Sequence, residues 1–151
     1  MSDEAEVFYD QLKNAFPKMY VSDDTYVGKG WWNIIWSLST AIQNHIDWHN
    51  SRPPEYREEG WQVVEQVVVL QIKEKFGELR FYYNGGDDKI YGMVVMAEMW
   101  ASHTCERCGD PGKLRAGGWM KTLCDKHEAE RKAAMRERMG EVMETDNWIE
   151  P

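Results

Sequence analysis

Two stretches decide how this chain is read: Thr104-Cys105-Glu106-Arg107-Cys108-Gly109 and Leu123-Cys124-Asp125-Lys126-His127. Two residues separate Cys105 from Cys108, two more separate Cys124 from His127, and residues 109–123 between the pairs have the length of one short hairpin. Three thiols and an imidazole spaced in this way predict a Cys₃His zinc site. The cysteine count agrees. All 3 cysteines of the chain lie here; a disulfide framework would leave one thiol over, whereas His127 completes a set of four donors. Gly109, just after the second ligand, supplies the backbone freedom that a tight knuckle needs.

Lys113-Leu114-Arg115 and Met120-Lys121-Thr122-Leu123 read as short strands around the turn Ala116-Gly117-Gly118, and Cys124 to His127 open a helical run. Knuckle, hairpin and ligands in the first turn of a helix together resemble a treble-clef finger. Four protein ligands leave no coordination position for water, so the zinc is expected to be structural and not catalytic. His103 is the one further donor nearby and reads as an ordinary helix-end histidine.

The chain has 151 residues with 8 Trp, 7 Tyr and 4 Phe, enough for one compact domain with an embedded finger. No segment has the apolar length of a transmembrane helix, and Met1-Ser2-Asp3-Glu4-Ala5-Glu6 does not resemble a signal sequence. The expectation is a cytoplasmic protein with reduced thiols and no membrane contact. The net charge of −8 argues against a protein whose main task is coating nucleic acid. The charge is uneven, however: residues 105–138 carry 9 basic and 6 acidic side chains, a mildly basic island on an acidic body. Lys113, Arg115 and Lys121 belong to this island, with Trp119 among them, and are candidate contacts to phosphate and to an unpaired base. A solvated helix face laced with Glu128, Glu130 and Glu137 is the simpler account.

Taken in order, the periodicity predicts a helix over 3–16, ended by Pro17, and a strongly amphipathic helix after Gly28-Lys29-Gly30 with Trp31, Ile34, Ile35, Leu38, Ile42, His45, Ile46 and His49 on one stripe. His45 and His49 have metal-pair spacing but lie on the apolar stripe, where core histidines are the expected reading. Trp32 and Trp36 project to its side, either into a second packing layer or toward a partner. Residues 51–60 form a charged connector. Residues 63–72 and 79–83 predict an antiparallel hairpin around a turn at 75–78, with Val68, Leu70, Ile72, Leu79, Phe81 and Tyr83 inward and Gln71, Lys73, Arg80 and Tyr82 outward. The outward set is a candidate surface for an anionic or planar ligand. A helix over 88–102, apolar nearly all round and rich in methionine, leads into Cys105, and a charged helix over 125–143 follows the finger with Met135, Met139, Val142 and Met143 on one edge. Trp148-Ile149 ends the chain as a segment that docks back. The fold class is α+β: three to four helices around a short antiparallel sheet, with a C-terminal treble-clef-like zinc finger. The expected divisions are a body over 1–103, a finger and helix over 104–145 packed on the 88–102 helix, and a tail over 146–151.

The run Gln71-Ile72-Lys73-Glu74-Lys75-Phe76-Gly77 and Leu79-Arg80-Phe81-Tyr82-Tyr83, followed by the two cysteine motifs, resembles short zinc-finger proteins of phage and prophage-bearing bacterial genomes, over about residues 61–128. The resemblance implies a phage or mobile-element origin, a host cytoplasm as location, and action on a host protein or a defence pathway. No enzyme motif accompanies it: there is no phosphate-cradling glycine loop, residues 113–123 contain no histidine of the kind that finger nucleases use as base, and Gln71 stands where a restriction-type nuclease needs an acid. The expected function is a non-enzymatic, zinc-stabilised binding protein, an inhibitor or adaptor with a protein partner and with homodimerisation as one use of its apolar faces. A nucleic-acid-binding finger protein and a metal-dependent nuclease are the alternatives.

Overall fold

The computed structural model describes residues 3–22 and 25–145, the last four of these by backbone alone. The expectations for Val142 and Met143, for Trp148-Ile149 and for the tail therefore lie outside the described side chains. Helix α1, Asp3–Ala15, opens on Asp3, Glu4 and Glu6 and carries Lys13 in its last turn, charges that complement the helix dipole. The chain then runs along the sheet, with the Val69 N–H donating to the Met19 carbonyl at 2.9 Å. A two-residue strand β1, Thr25–Tyr26, and a single 3₁₀ turn, Lys29–Trp31, lead into α2, Trp32–Asn50. The hairpin β2, Val68–Lys75, and β3, Glu78–Asn84, precedes α3, Asp88–Ala101. Strands β4, Lys113–Arg115, and β5, Lys121–Leu123, form a second hairpin, and α4, Asp125–Thr145, follows. The α+β class with four helices is as expected.

The main sheet differs from the expectation. Its order is β1-β2-β3, and β1 runs parallel to β2, with Thr25 opposite Ile72, so the sheet is mixed and not purely antiparallel. Two residues are too few to carry a period, which is why β1 left no trace in the pattern. The inward set of the hairpin also changes. A bulge lies between Val69 and Gln71 in the β2–β3 register. It inserts one residue, so Val69 and Ile72, three apart, both face inward while Leu70 turns to solvent. Val67 and Val69 are buried in place of Val68 and Leu70, whereas Ile72, Leu79 and Phe81 are buried as expected. Residues 63–67 are not part of the ladder because Asn50 takes both the N–H and the carbonyl of Val64 with its side-chain amide, at 2.8 and 2.9 Å.

The core lies between the sheet and the pair α2 and α3. Ile34, Ile35, Leu38, Ile42 and Ile46 of α2 meet Ile90, Val94, Ala97 and Ala101 of α3 over Val69, Ile72, Leu79 and Phe81. Helix α1 closes the far side of α2: Phe8 stacks on Trp32 at 4.6 Å between ring centroids, and Phe16 meets the edge of Trp36 at 5.1 Å. Trp32 thus belongs to a second packing layer, whereas Trp36 stays 37% exposed. The two histidines of α2 each have their own acceptor: His45 Nε2 lies 2.8 Å from Asp87 Oδ2, and His49 Nε2 lies 2.6 Å from the Gln62 carbonyl.

Asp87 couples two layers, because its other oxygen accepts the Ile90 N–H at 3.0 Å and caps α3. Partial burial disfavours its charge, but the His45 and Ile90 hydrogen bonds outweigh that and hold the carboxyl below its usual range. A carboxylate whose folded pKa is depressed stabilises above its unfolded pKa, and this contribution is lost as pH falls through the folded value. Asp87→Ala should therefore cost about 1–2 kcal/mol at neutral pH. The difference from wild type should shrink as pH falls below about 4. Urea unfolding at pH 7 and pH 3 checks this, and a difference that widens in acid contradicts it.

Candidate metal centre

Helix α3 hands the chain to the knuckle with its last turn fixed, Thr104 Oγ1 donating to the Trp100 carbonyl at 2.8 Å. The knuckle closes by the Gly109 N–H to the Cys105 carbonyl at 2.9 Å and the Cys105 N–H to the Asp110 carbonyl at 2.7 Å, and Gly109 takes the left-handed φ of 83° that this turn requires. The β4–β5 hairpin, with Lys113 opposite Leu123, returns the chain beside the knuckle and delivers Cys124 immediately before α4. His127 follows in the first turn of α4.

The four ligand atoms lie within 4.8 Å of one another. Three of the six separations are 3.8 Å for Cys108 Sγ to Cys124 Sγ, 3.5 Å for Cys105 Sγ to His127 Nδ1, and 3.2 Å for Cys124 Sγ to His127 Nδ1. Metal–sulfur bonds of about 2.3 Å and metal–nitrogen bonds of about 2.0–2.1 Å give tetrahedral edges of about 3.8 Å between sulfurs and about 3.5 Å between sulfur and nitrogen. Two of the three separations match those edges, and the third is slightly compressed. His127 turns Nδ1 to the cluster and Nε2 outward, 3.8 Å from Glu130 Oε2, a carboxylate placed to orient the ring.

The electrostatics favour a cation. Burial pushes the Cys105 thiol up, but the backbone N–H groups of Cys124, Cys108 and Arg107 outweigh it and bring it down to about 6. For Cys108 the Asp110 N–H favours the thiolate, yet burial and the neighbouring thiols Cys105 and Cys124 win and push it up to about 11. A second thiolate beside the first is disfavoured without a positive charge between them, and a bound metal supplies that charge. His103 is exposed and lies outside the cluster.

The centre is fastened to the body at two places. The first is the turn before α2. The Gly30 N–H donates to the Glu106 carbonyl at 2.7 Å, and the Trp31 indole N–H donates to the Thr104 carbonyl at 2.8 Å. The backbones approach so closely that a Cβ on Gly30 would stand 2.0 Å from the Cys105 carbonyl oxygen, and one on Gly28 would stand 2.4 Å from that of Glu106. The second place is the β2–β3 turn, where Thr122 Oγ1 donates to the Gly77 carbonyl at 2.7 Å. Between the two, Lys121 lies 3.3 Å from Glu74 and 3.6 Å from Glu106, and Glu106 also accepts the Gly28 N–H at 3.1 Å. Burial pushes the Glu106 carboxyl up, opposed by the Gly28 N–H and the Lys121 ammonium. The finger therefore seats on the turn before α2 and on the hairpin tip, and is joined to α3 through the chain itself.

The remaining candidate residues are dispersed. Lys73, Arg80 and Tyr82 lie on the outer sheet face, Lys73 above the Tyr82 ring at 5.6 Å and Arg80 paired with Glu78 at 2.6 Å. Arg115 is bound to Asp125 at 2.7 Å. Lys113 and Trp119 are exposed. Gly28, Gly30 and Glu106 escaped the sequence reading because their partners are far along the chain. Comparison with known proteins returned no matching family model, no similar curated protein and no similar solved structure.

The purified protein should carry about one equivalent of metal, and its removal should lower stability by at least about 4 kcal/mol, the linkage value of a ligand present at a thousand times its dissociation constant. Cys124→Ser should lose the metal, whereas His127→Cys, which keeps four donors, should retain it. Metal analysis with thermal melting decides between these outcomes, and a metal-free wild type would remove the site. Gly30→Ala, which forces the knuckle off its seat, should cost more than about 3 kcal/mol in denaturant unfolding.

Proposed function

We propose that the Cys105, Cys108, Cys124 and His127 cluster holds one structural zinc ion, and that the protein is a non-enzymatic binding module in which this finger fixes a docking surface for another protein. Three thiolates and an imidazole at tetrahedral spacing suit zinc above harder cations, and a closed set of four protein donors suits a structural role. The order knuckle, hairpin, ligand at a helix start supports a treble-clef assignment. An inhibitor or adaptor of phage or mobile-element origin, acting on a host protein or defence pathway, is the form of this reading that the resemblance over residues 61–128 supports.

The observation that carries the docking surface is a cleft of about 380 Å³ between the tips of the two hairpins, lined by Phe76, Trp119, Met120 and the stems of Lys75 and Glu74. Phe76 is 64% and Trp119 76% exposed. Aromatic and methionine side chains held open in this way are the anchors on which protein interfaces concentrate their energy. Phe76 stands there against local preference. It occupies the first position of a two-residue turn at φ 54°, with Gly77 at φ 80°, a place that favours Asn or Gly. A bulky residue kept at positive φ and exposed points to a use outside the fold.

The basic island offers less to nucleic acid than its charge suggests. Arg115 is paired with Asp125, Lys121 with Glu74 and Glu106, and Arg131 with Glu128 and the Trp119 carbonyl. Phosphate contacts would have to displace these partners.

Phe76→Asn should leave folding intact or improve it by a few tenths of a kcal/mol, since asparagine tolerates the turn's backbone. Combined with Trp119→Ala, it should abolish retention of a partner that the wild-type chain holds from bacterial lysate through a high-salt wash. Retention unaffected by the pair of substitutions would dismiss the cleft, and salt-sensitive binding to a single-stranded oligonucleotide would favour the nucleic-acid reading.

A further inference from the structure

Helix α3 is apolar nearly all round, and the fold uses only one side of it. Ile90, Val94, Ala97 and Ala101 are buried against α2 and the sheet. The opposite side, turned to solvent, carries Gly92, Met96, Met99 and Trp100; Met96 is 65%, Met99 56% and Trp100 50% exposed. Tyr91, 64% exposed, flanks it. No charged side chain interrupts the stripe after Lys89, because Glu98 turns toward the sheet, where it accepts the Phe81 N–H at 3.2 Å. A helix that is hydrophobic on every side is ordinarily a buried helix. Met96, Met99 and Trp100, each half exposed or more, amount to roughly 400 Å² of apolar surface, within the range that the largest patch of a monomer spans.

Gly92 says what covers it. It has an ordinary helical backbone, and a Cβ placed on it would meet no heavy atom within 4 Å, so nothing in the monomer requires glycine there. A glycine in an exposed helix interior weakens the helix relative to alanine, and at a helix interface it permits close approach. Its place in the stripe is specific. Gly92 and Trp100 are equally distant from Met96 along α3. An antiparallel pair of α3 helices related by a two-fold axis at Met96 sets Trp100 of each chain over Gly92 of the other. The largest side chain of the stripe then meets its only gap twice, which is the self-complementarity that a two-fold interface demands.

We propose that α3 is the contact helix of a symmetric homodimer, with Met96 at the axis and Trp100 seated on the partner's Gly92. Pairing doubles the apolar surface removed from water to roughly 800 Å², and the rim at Lys89 and His103 brings the interface toward the ~1,000 Å² of a lasting contact. This surface is separate from the hairpin-tip cleft, so either assignment can fail without the other.

The test is sedimentation equilibrium on the full chain with its metal bound, alongside circular dichroism. Wild type should give twice the chain mass of 17.7 kDa at micromolar concentration. Gly92→Leu improves helix propensity while filling the gap, so it should keep the native dichroism and weaken self-association at least tenfold. Met96→Glu, which places two carboxylates at the axis, should do the same by repulsion. Gly140→Leu changes an equally open glycine in α4 and should leave the mass unchanged. A wild type that stays monomeric at about 100 µM overturns the proposal, including one that captures a different protein through α3. A dimer indifferent to both Gly92→Leu and Met96→Glu overturns it equally.

Discussion

The contact between the turn at residues 28–31 and the knuckle at 104–109 governs the rest of this molecule. Trp31 is fully buried in the main core, yet its indole N–H donates to the Thr104 carbonyl, while the neighbouring Gly30 N–H donates to the carbonyl of Glu106, between two metal-site cysteines. A core tryptophan thus holds the finger by its backbone. The contact is possible only because Gly28 and Gly30 lack side chains, since any Cβ there would overlap the knuckle's carbonyls. A metal held by the four donors would therefore be linked to folding of the body, because a distorted knuckle takes from the core the acceptor for a buried indole.

That seam also accounts for the distribution of charge. Lys121 is held between Glu74 and Glu106, Arg115 on Asp125 and Arg131 on Glu128, while Arg107, Lys113, Lys126, Lys132, Arg136 and Arg138 are exposed. Of the paired cations, Lys121 reaches the acidic body, through Glu74 of the β2–β3 hairpin. Apolar side chains stay open as well: Phe76 and Trp119 at the hairpin tips, and Met96, Met99 and Trp100 on α3. Among the described residues, no helix is long and apolar enough to cross a membrane.

Sequence by itself determined that Cys105, Cys108, Cys124 and His127 belong together, the four helices to within a residue or two, and the hairpin turn at Phe76-Gly77, because each depends on spacing within a short window: two residues between donors, 3.6 per helical turn, alternation along a strand. The histidines of α2, expected as core residues from their place on the apolar stripe, are only partly buried and bond to Asp87 and to the Gln62 carbonyl. Tertiary structure alone decided the parallel strand Thr25–Tyr26, too short to have a period, and the bulge after Val69, which exchanges Leu70 for Val69 in the core without changing the residues' apolar character. It also decided the roles of Gly28, Gly30 and Glu106, since these rest on contacts between segments some 75 residues apart, where local pattern carries no signal.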